Sequence, residues 1–225
     1  MGAQTYESQI DPPGAVVPRL RGVAHLVAFV AAPPVGLLLV THARGGPAQV
    51  GAVTFAANAT VMLGVSSLFH RRAWSPKHKR WIGSLDHAMI YALIAGTYTP
   101  FTLLVLDPGW RLPILAVVWG GAFVAAASRL LRPDAPRSVA AATCVALGWV
   151  SLIVLPQIVD RIGLGPTALL AAGGIAYTAG AVVYARRKPD PFPSVFGYHE
   201  VFHALTVVAL ACQYATIAFF VLPKA

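Results

Sequence analysis

Ser66 and His70, Asp86, and His199 and His203 are the side chains best suited to chemistry in this sequence. His199 and His203 stand four apart, as do Ser66 and His70. On a helix each pair shares one face. Two imidazoles so placed can grip one metal ion, the geometry that HExxH helices use, and His70 offers a third. Three neutral imidazoles leave one position open on a tetrahedral zinc, as catalytic zinc requires, although copper or nickel would also accept such a set. Asp86 could take or orient the proton of a water at that position. Ser66 could hydrogen-bond the same water or a substrate carbonyl. Each signal alone has an ordinary alternative. An HxxxH pair can serve helix packing or headgroup contact, His70 can be an interfacial residue, and Asp86 can pair with Arg80. The remaining candidates carry less. His42 and His78 read as solvated loop residues. His87 follows Asp86 and points about 100° away around a helix. His25 is expected to make a buried hydrogen bond, and Glu200 to meet a loop arginine.

These residues are far apart in the chain, so the reading needs elements that bring three segments together. Of 225 residues, 57% are hydrophobic and 11% charged, against roughly 45–50% and 25% in soluble domains. Mean hydropathy is +0.67. This composition excludes a soluble enzyme, a disordered chain and a disulfide-stapled secreted domain. Cys144 and Cys212 both lie in apolar stretches and read as packing residues. A membrane span needs about 20 mostly apolar residues, and seven stretches qualify, approximately 22–42, 49–70, 82–106, 112–130, 138–157, 164–185 and 197–222. Their length and lack of alternation exclude a transmembrane barrel. The expected architecture is an all-α bundle of seven membrane helices over residues 19–225. A polar, disordered cytoplasmic tail, residues 1–18 with Pro12, Pro13 and Pro18, precedes it. The first span is too long and too far from the start for a cleaved signal peptide. Pro33 and Pro34 should kink it.

The net charge is +9. Thirteen of the seventeen Lys and Arg residues fall before span one or in the loops after spans two, four and six; only Arg44, Arg111, Arg161 and Lys224 fall on the other side. By the positive-inside rule the N-terminus is cytoplasmic and the C-terminus outside, and the basic character needs no nucleic acid. With that topology, Ser66-Ser-Leu-Phe-His70, Leu85-Asp86-His87 and Gly197-Tyr-His-Glu-Val-Phe-His203 all lie at cytoplasmic helix ends. Ionisable groups inside spans are rare and usually functional, so this convergence favours a metal site. Thr97, Tyr98 and Thr99 could line a cavity, or the threonines could repair backbone polarity freed by Pro100.

The strings SSLFH, LDHAMIYALIAGTYTPF and GYHEVFHAL resemble the signatures of the hemolysin III family. That family is the bacterial branch of the progestin and adipoQ receptor proteins, within a larger group that includes alkaline ceramidases. The resemblance covers roughly residues 19–222. It implies a seven-helix bundle with the N-terminus inside and a zinc ion near the cytoplasmic face. Zinc would be held by His70, His199 and His203, with Asp86 and Ser66 contacting or neighbouring a zinc-bound water. One departure is Arg19-Leu-Arg-Gly, where many bacterial members carry an acidic residue just before the first helix. Three functions are implied: a zinc-dependent hydrolase of a ceramide-like lipid amide, with membrane lipids as substrate and the cell membrane as location; a non-catalytic lipid sensor or receptor-like regulator with structural zinc; and, last, a pore-forming hemolysin. The pore ranks last because the ionisable residues sit at one end and no polar stripe is evident through a helix.

Overall fold

The structure, a computed structural model, describes residues 17–224. The expected tail therefore lies outside the described residues, apart from Val17 and Pro18. Seven long helical segments follow: α1 (Val23–His42), α2 (Gly46–Arg71), α3 (Pro76–Leu104), α4 (Pro108–Leu131), α5 (Arg137–Ile162), α6 (Leu164–Arg186) and α7 (Tyr198–Thr216). A π-helical turn, Ile217–Val221, and a 3₁₀ turn, Leu222–Lys224, extend α7. No β-strand occurs among the described residues, only an isolated bridge between Phe192 and Phe196.

Prolines sit in the first turns of α2, α3 and α4, where a missing N–H is harmless and the fixed φ is already helical. Inside α1 the helix runs without a break through Pro33 and Pro34. Short connections make successive helices antiparallel neighbours, and α1 also meets α7. The C-terminal ends of α2, α4 and α6 thus share one end of the bundle with the N-terminal ends of α1, α3, α5 and α7. That is the end rich in Lys and Arg.

Large apolar side chains such as Leu112, Phe123, Leu131 and Leu164 stand exposed on the outer faces, an arrangement that suits lipid rather than water. Six of the segments are long and apolar enough to cross a membrane. The exception is α3, which spans 29 residues but opens with Lys77, Lys79 and Arg80 and carries Asp86 and His87. It is also the helix most enclosed by protein. Thirteen of its residues are buried, against three in α1, so polarity there is shielded by neighbouring helices.

Polar side chains tie specific helices together. Trp119 Nε1 donates to Thr99 Oγ1 at 3.2 Å, joining α4 to α3, and Trp149 Nε1 donates to Thr178 Oγ1 at 3.1 Å, joining α5 to α6. The α-helical run of α5 is interrupted by a 3₁₀ segment, Trp149–Val154, which loosens the backbone ladder. Tyr98 of α3 stitches this break. Its hydroxyl donates to Gly148 O at 2.6 Å and accepts from Ser151 N at 2.8 Å. Thr97 and Thr99 instead bond back to Leu93 O and Ala95 O, and Thr97 and Tyr98 also line an interior cavity. The cavity-lining reading of this string holds for Thr97 and Tyr98, whereas the threonine bonds go to Leu93 O and Ala95 O and not to Gly96 O, the carbonyl that Pro100 leaves free. A buried polar group left without its partner costs about 1–3 kcal/mol. Tyr98→Phe is expected to lower stability by that amount, read as a lower Tm in detergent. An unchanged Tm would show that the break in α5 does not depend on this hydroxyl.

Candidate functional site

The last turn of α2 presents His70, and the first two turns of α7 present His199 and His203 on one face. One ring nitrogen from each lies within 4.8 Å of the others. His70 Nε2 and His199 Nε2 are 3.2 Å apart, and the three ring centroids are separated by 4.6–4.9 Å. His199 and His203 are buried. Asp86, in the third turn of α3, places Oδ2 at 3.6 Å from His70 Nε2. The spacing fits a divalent ion. Two ligands each about 2.0–2.1 Å from a tetrahedral zinc are roughly 3.3 Å apart, close to the observed separation. His203 Nδ1 is buried with no hydrogen-bond partner, and three nitrogens facing one another satisfy each other poorly. A neutral imidazole set of this kind is good donor chemistry for zinc.

Ser66 lies one turn before His70 on α2, and its Oγ is 2.8 Å from His25 Nδ1. His25, from the first turn of α1, stacks on His203 with centroids 3.8 Å apart and planes inclined by 11°. Its Nε2 is buried without a partner. The hydrogen bond expected of His25 thus joins it to the site itself, a role its sequence position underplays. The available signal was its depth: of the two histidines in span one it is the one at the same helix end as the other three. His87 is excluded as a ligand by its own bonds. Gly83 O accepts from Nδ1 at 2.7 Å, which leaves Nε2 to accept from Tyr184 OH at 2.6 Å. His42 and His78 are exposed. Arg80, the alternative partner of Asp86, pairs with Asp134 instead.

The segment before α1 braces the cluster. Arg19 N and Leu20 N donate to Ser194 O and Val195 O, each at 3.0 Å. Arg21 Nε contacts Glu200 Oε1 at 2.8 Å, with both side chains buried. The other carboxylate oxygen of Glu200 accepts from Gly197 N at 2.9 Å, capping α7. Gly22 has φ +75°, and a Cβ there would come within 2.6 Å of His70 Cβ, so only glycine permits this approach. One short stretch therefore presses on His70 and holds the α7 turn between His199 and His203. The basic Arg19-Leu-Arg-Gly string, a departure at the sequence level, supplies the cation that Glu200 needs. Removing one member of a buried ion pair typically costs about 3–5 kcal/mol. Arg21→Met is expected to destabilise the protein on that scale in thermal unfolding, and adding Glu200→Gln should recover much of the loss. A single substitution without effect would show that the pair does not brace the site.

Ser66, Asp86, His25, His199 and His203 all line a cavity of about 360 Å³ that runs between α3, α5, α6 and α7 and is bounded mainly by apolar side chains. The site thus stands at one end of an elongated, hydrocarbon-lined space.

Residues 15–214 match the family described as Haemolysin-III related. The chain is 29% identical over 209 residues to Hemolysin-3 of Bacillus cereus, covering 90% of this chain and 91% of that protein. It is 26% identical over 200 residues to the Hemolysin-3 homolog of Bacillus subtilis strain 168, covering 80% of this chain and 91% of that one. With its helices, its histidine cluster and a match along nearly its whole length, the chain belongs to the hemolysin III family of multi-pass membrane proteins.

Proposed function

We propose that this protein is a zinc-dependent membrane hydrolase that cleaves the amide of a ceramide-like lipid. The observation that carries this reading is the opening of the Ser66–Asp86–histidine cluster directly onto the apolar cavity. An acyl chain fits such a space, and its carbonyl would then lie at the level of the imidazoles. Zinc held by His70, His199 and His203 supplies Lewis acidity toward a carbonyl and lowers the pKa of water at the site toward about 7. Asp86 is the proton carrier. Its carboxylate accepts the proton of the attacking water and delivers it to the leaving nitrogen as the C–N bond breaks. The products are a carboxylic acid and an amine, and Asp86 returns to its starting form. Ser66 sits where its hydroxyl can hydrogen-bond the substrate carbonyl oxygen while His25 fixes its orientation. Van der Waals walls from the cavity exclude bulk water from the chain.

The same proposal includes topology. The thirteen-to-four division of Lys and Arg supports a cytoplasmic N-terminus, seven crossings with α3 among them, and a site at the cytoplasmic face of the cell membrane. At 1.5 Å per residue α3 is about 43 Å long, enough to cross. A second reading is a lipid-responsive regulator in which the ion is structural. It is favoured by the origin of the ligands, since an ion shared by α2 and α7 would staple helices from opposite ends of the chain. A pore is the weakest reading, because the cavity wall is largely apolar.

Turnover of ceramide and other N-acyl lipids by purified, zinc-loaded protein separates these. Asp86→Asn is expected to lower the rate by about 10²–10⁴, the usual range for a general acid–base group, while keeping its metal. His203→Ala should lose metal and turnover together. Full activity in Asp86→Asn would remove that residue from the chemistry. Absence of turnover in the wild type, with a large fall in Tm on chelation, would favour the regulator, and ion leak from reconstituted vesicles would favour the pore.

A further inference from the structure

Below the histidines the bundle buries polar atoms that no protein group satisfies. On α7 the buried polar positions continue from His203 through Thr206, Gln213 and Thr216, a pattern not recognised in the sequence as a stripe. The two threonines bond the backbone of their own helix, to Phe202 O at 3.0 Å and Cys212 O at 2.9 Å. Gln213 has no such outlet: the residue is 5% exposed and its Oε1 is buried with no donor in reach. On α6, Tyr177 OH is likewise buried and unpartnered. Both residues line the cavity that begins at the metal-binding cluster. Gln213 packs against the face of α6 that carries Tyr177. A Cβ on Gly173 would lie 2.9 Å from Gln213 Nε2, and Tyr177 stands one turn farther along α6 than Gly173.

An unsatisfied buried polar group costs about 1–3 kcal/mol, and a membrane interior offers no bulk water to relieve it. These two groups face one cavity, as does the likewise buried and unpartnered Thr102 Oγ1 of α3, which indicates something there for them to bind. We infer that Gln213 and Tyr177 form a subsite for a hydroxyl carried within the chain of the bound lipid. The inference rests on the reading that this cavity holds the chain of the lipid whose polar end meets the histidines. A hydroxyl is the group that fits. It donates to Gln213 Oε1 and accepts from Tyr177 O–H, whereas a carbonyl would leave the glutamine oxygen unsatisfied. Gln213 is ten residues beyond His203, about 15 Å of helical rise. The ligand class is therefore an amphiphile whose hydroxyl lies in mid-chain, well removed from the head.

The test is equilibrium binding of stearic acid and of its mid-chain monohydroxy derivative to the purified full chain in nanodiscs, read by tryptophan fluorescence. The hydroxylated acid is expected to bind about tenfold tighter, the effect of one to two neutral hydrogen bonds. Gln213→Leu and Tyr177→Phe should each abolish that preference while keeping the affinity for stearic acid. Should the leucine variant fail to fold, the tyrosine variant, which loses a single oxygen, carries the test. Equal binding of the two acids to the wild type would overturn the inference and assign these groups to an ordered water, as would a preference that survives in the folded variants. Because binding is read without turnover, a clear preference in a protein that hydrolyses no amide sinks only the hydrolase, and hydrolysis without preference sinks only the subsite.

Discussion

The close approach of three imidazoles at one end of an apolar bundle is the constraint around which the rest of this molecule is arranged. His70 arrives on α2, His199 and His203 on α7, and their nitrogens meet within 4.8 Å. Such a cluster is costly to bury without compensation, and the surrounding structure invests in keeping it assembled. Glycine at position 22 lets the chain pass against His70. The buried Arg21–Glu200 pair fixes the entry to α7. His25 stacks on His203 and reaches Ser66. None of these features is needed to make seven helices pack, and each bears on where an imidazole points.

The second theme is the relation between that cluster and the hydrocarbon space beside it. The segment α5 breaks its α-helical ladder at Trp149–Val154, and Tyr98 satisfies the freed backbone groups from across the cavity. This hydrogen-bonded irregularity forms part of the cavity wall. A reactive end and a chain-binding space in register are what lipid chemistry demands, and this juxtaposition motivates both the proposed hydrolysis and the mid-chain subsite.

Much of this was legible in the residues. Apolar runs separated by short polar breaks marked the helices, because a membrane-type helix announces itself by length and composition. The least apolar of the long helices, α3, opens with Lys77, Lys79 and Arg80 and carries Asp86, His87 and the Thr97-Tyr-Thr string, so only part of its polarity belongs to the site. The i, i+4 spacing of His199 and His203 placed both on one face, and their pairing with His70 and Asp86 followed from depth. Other features were legible only in part or not at all. That Glu200 meets an arginine was legible, but not that the arginine is Arg21, 179 positions away, nor that the pair is buried. The stacking of His25 on His203 depends on α1 closing against α7, which no periodicity encodes. The buried polar positions Thr206, Gln213 and Thr216 of α7 were not legible as a stripe, because apolar residues separate them along the chain; the two threonines bond their own helix, which leaves Gln213 as the exception.

The central claim is that His70, His199 and His203 hold one divalent ion between them. X-ray absorption at the zinc edge of the purified protein, with metal stoichiometry on the same sample, tests it most directly. The account predicts one zinc per chain with imidazole nitrogens at about 2.0–2.1 Å, lost when any of the three histidines is replaced by alanine and kept when His87 is. A protein that purifies without metal and takes up none, or zinc whose nitrogen shell survives His203→Ala, would contradict it.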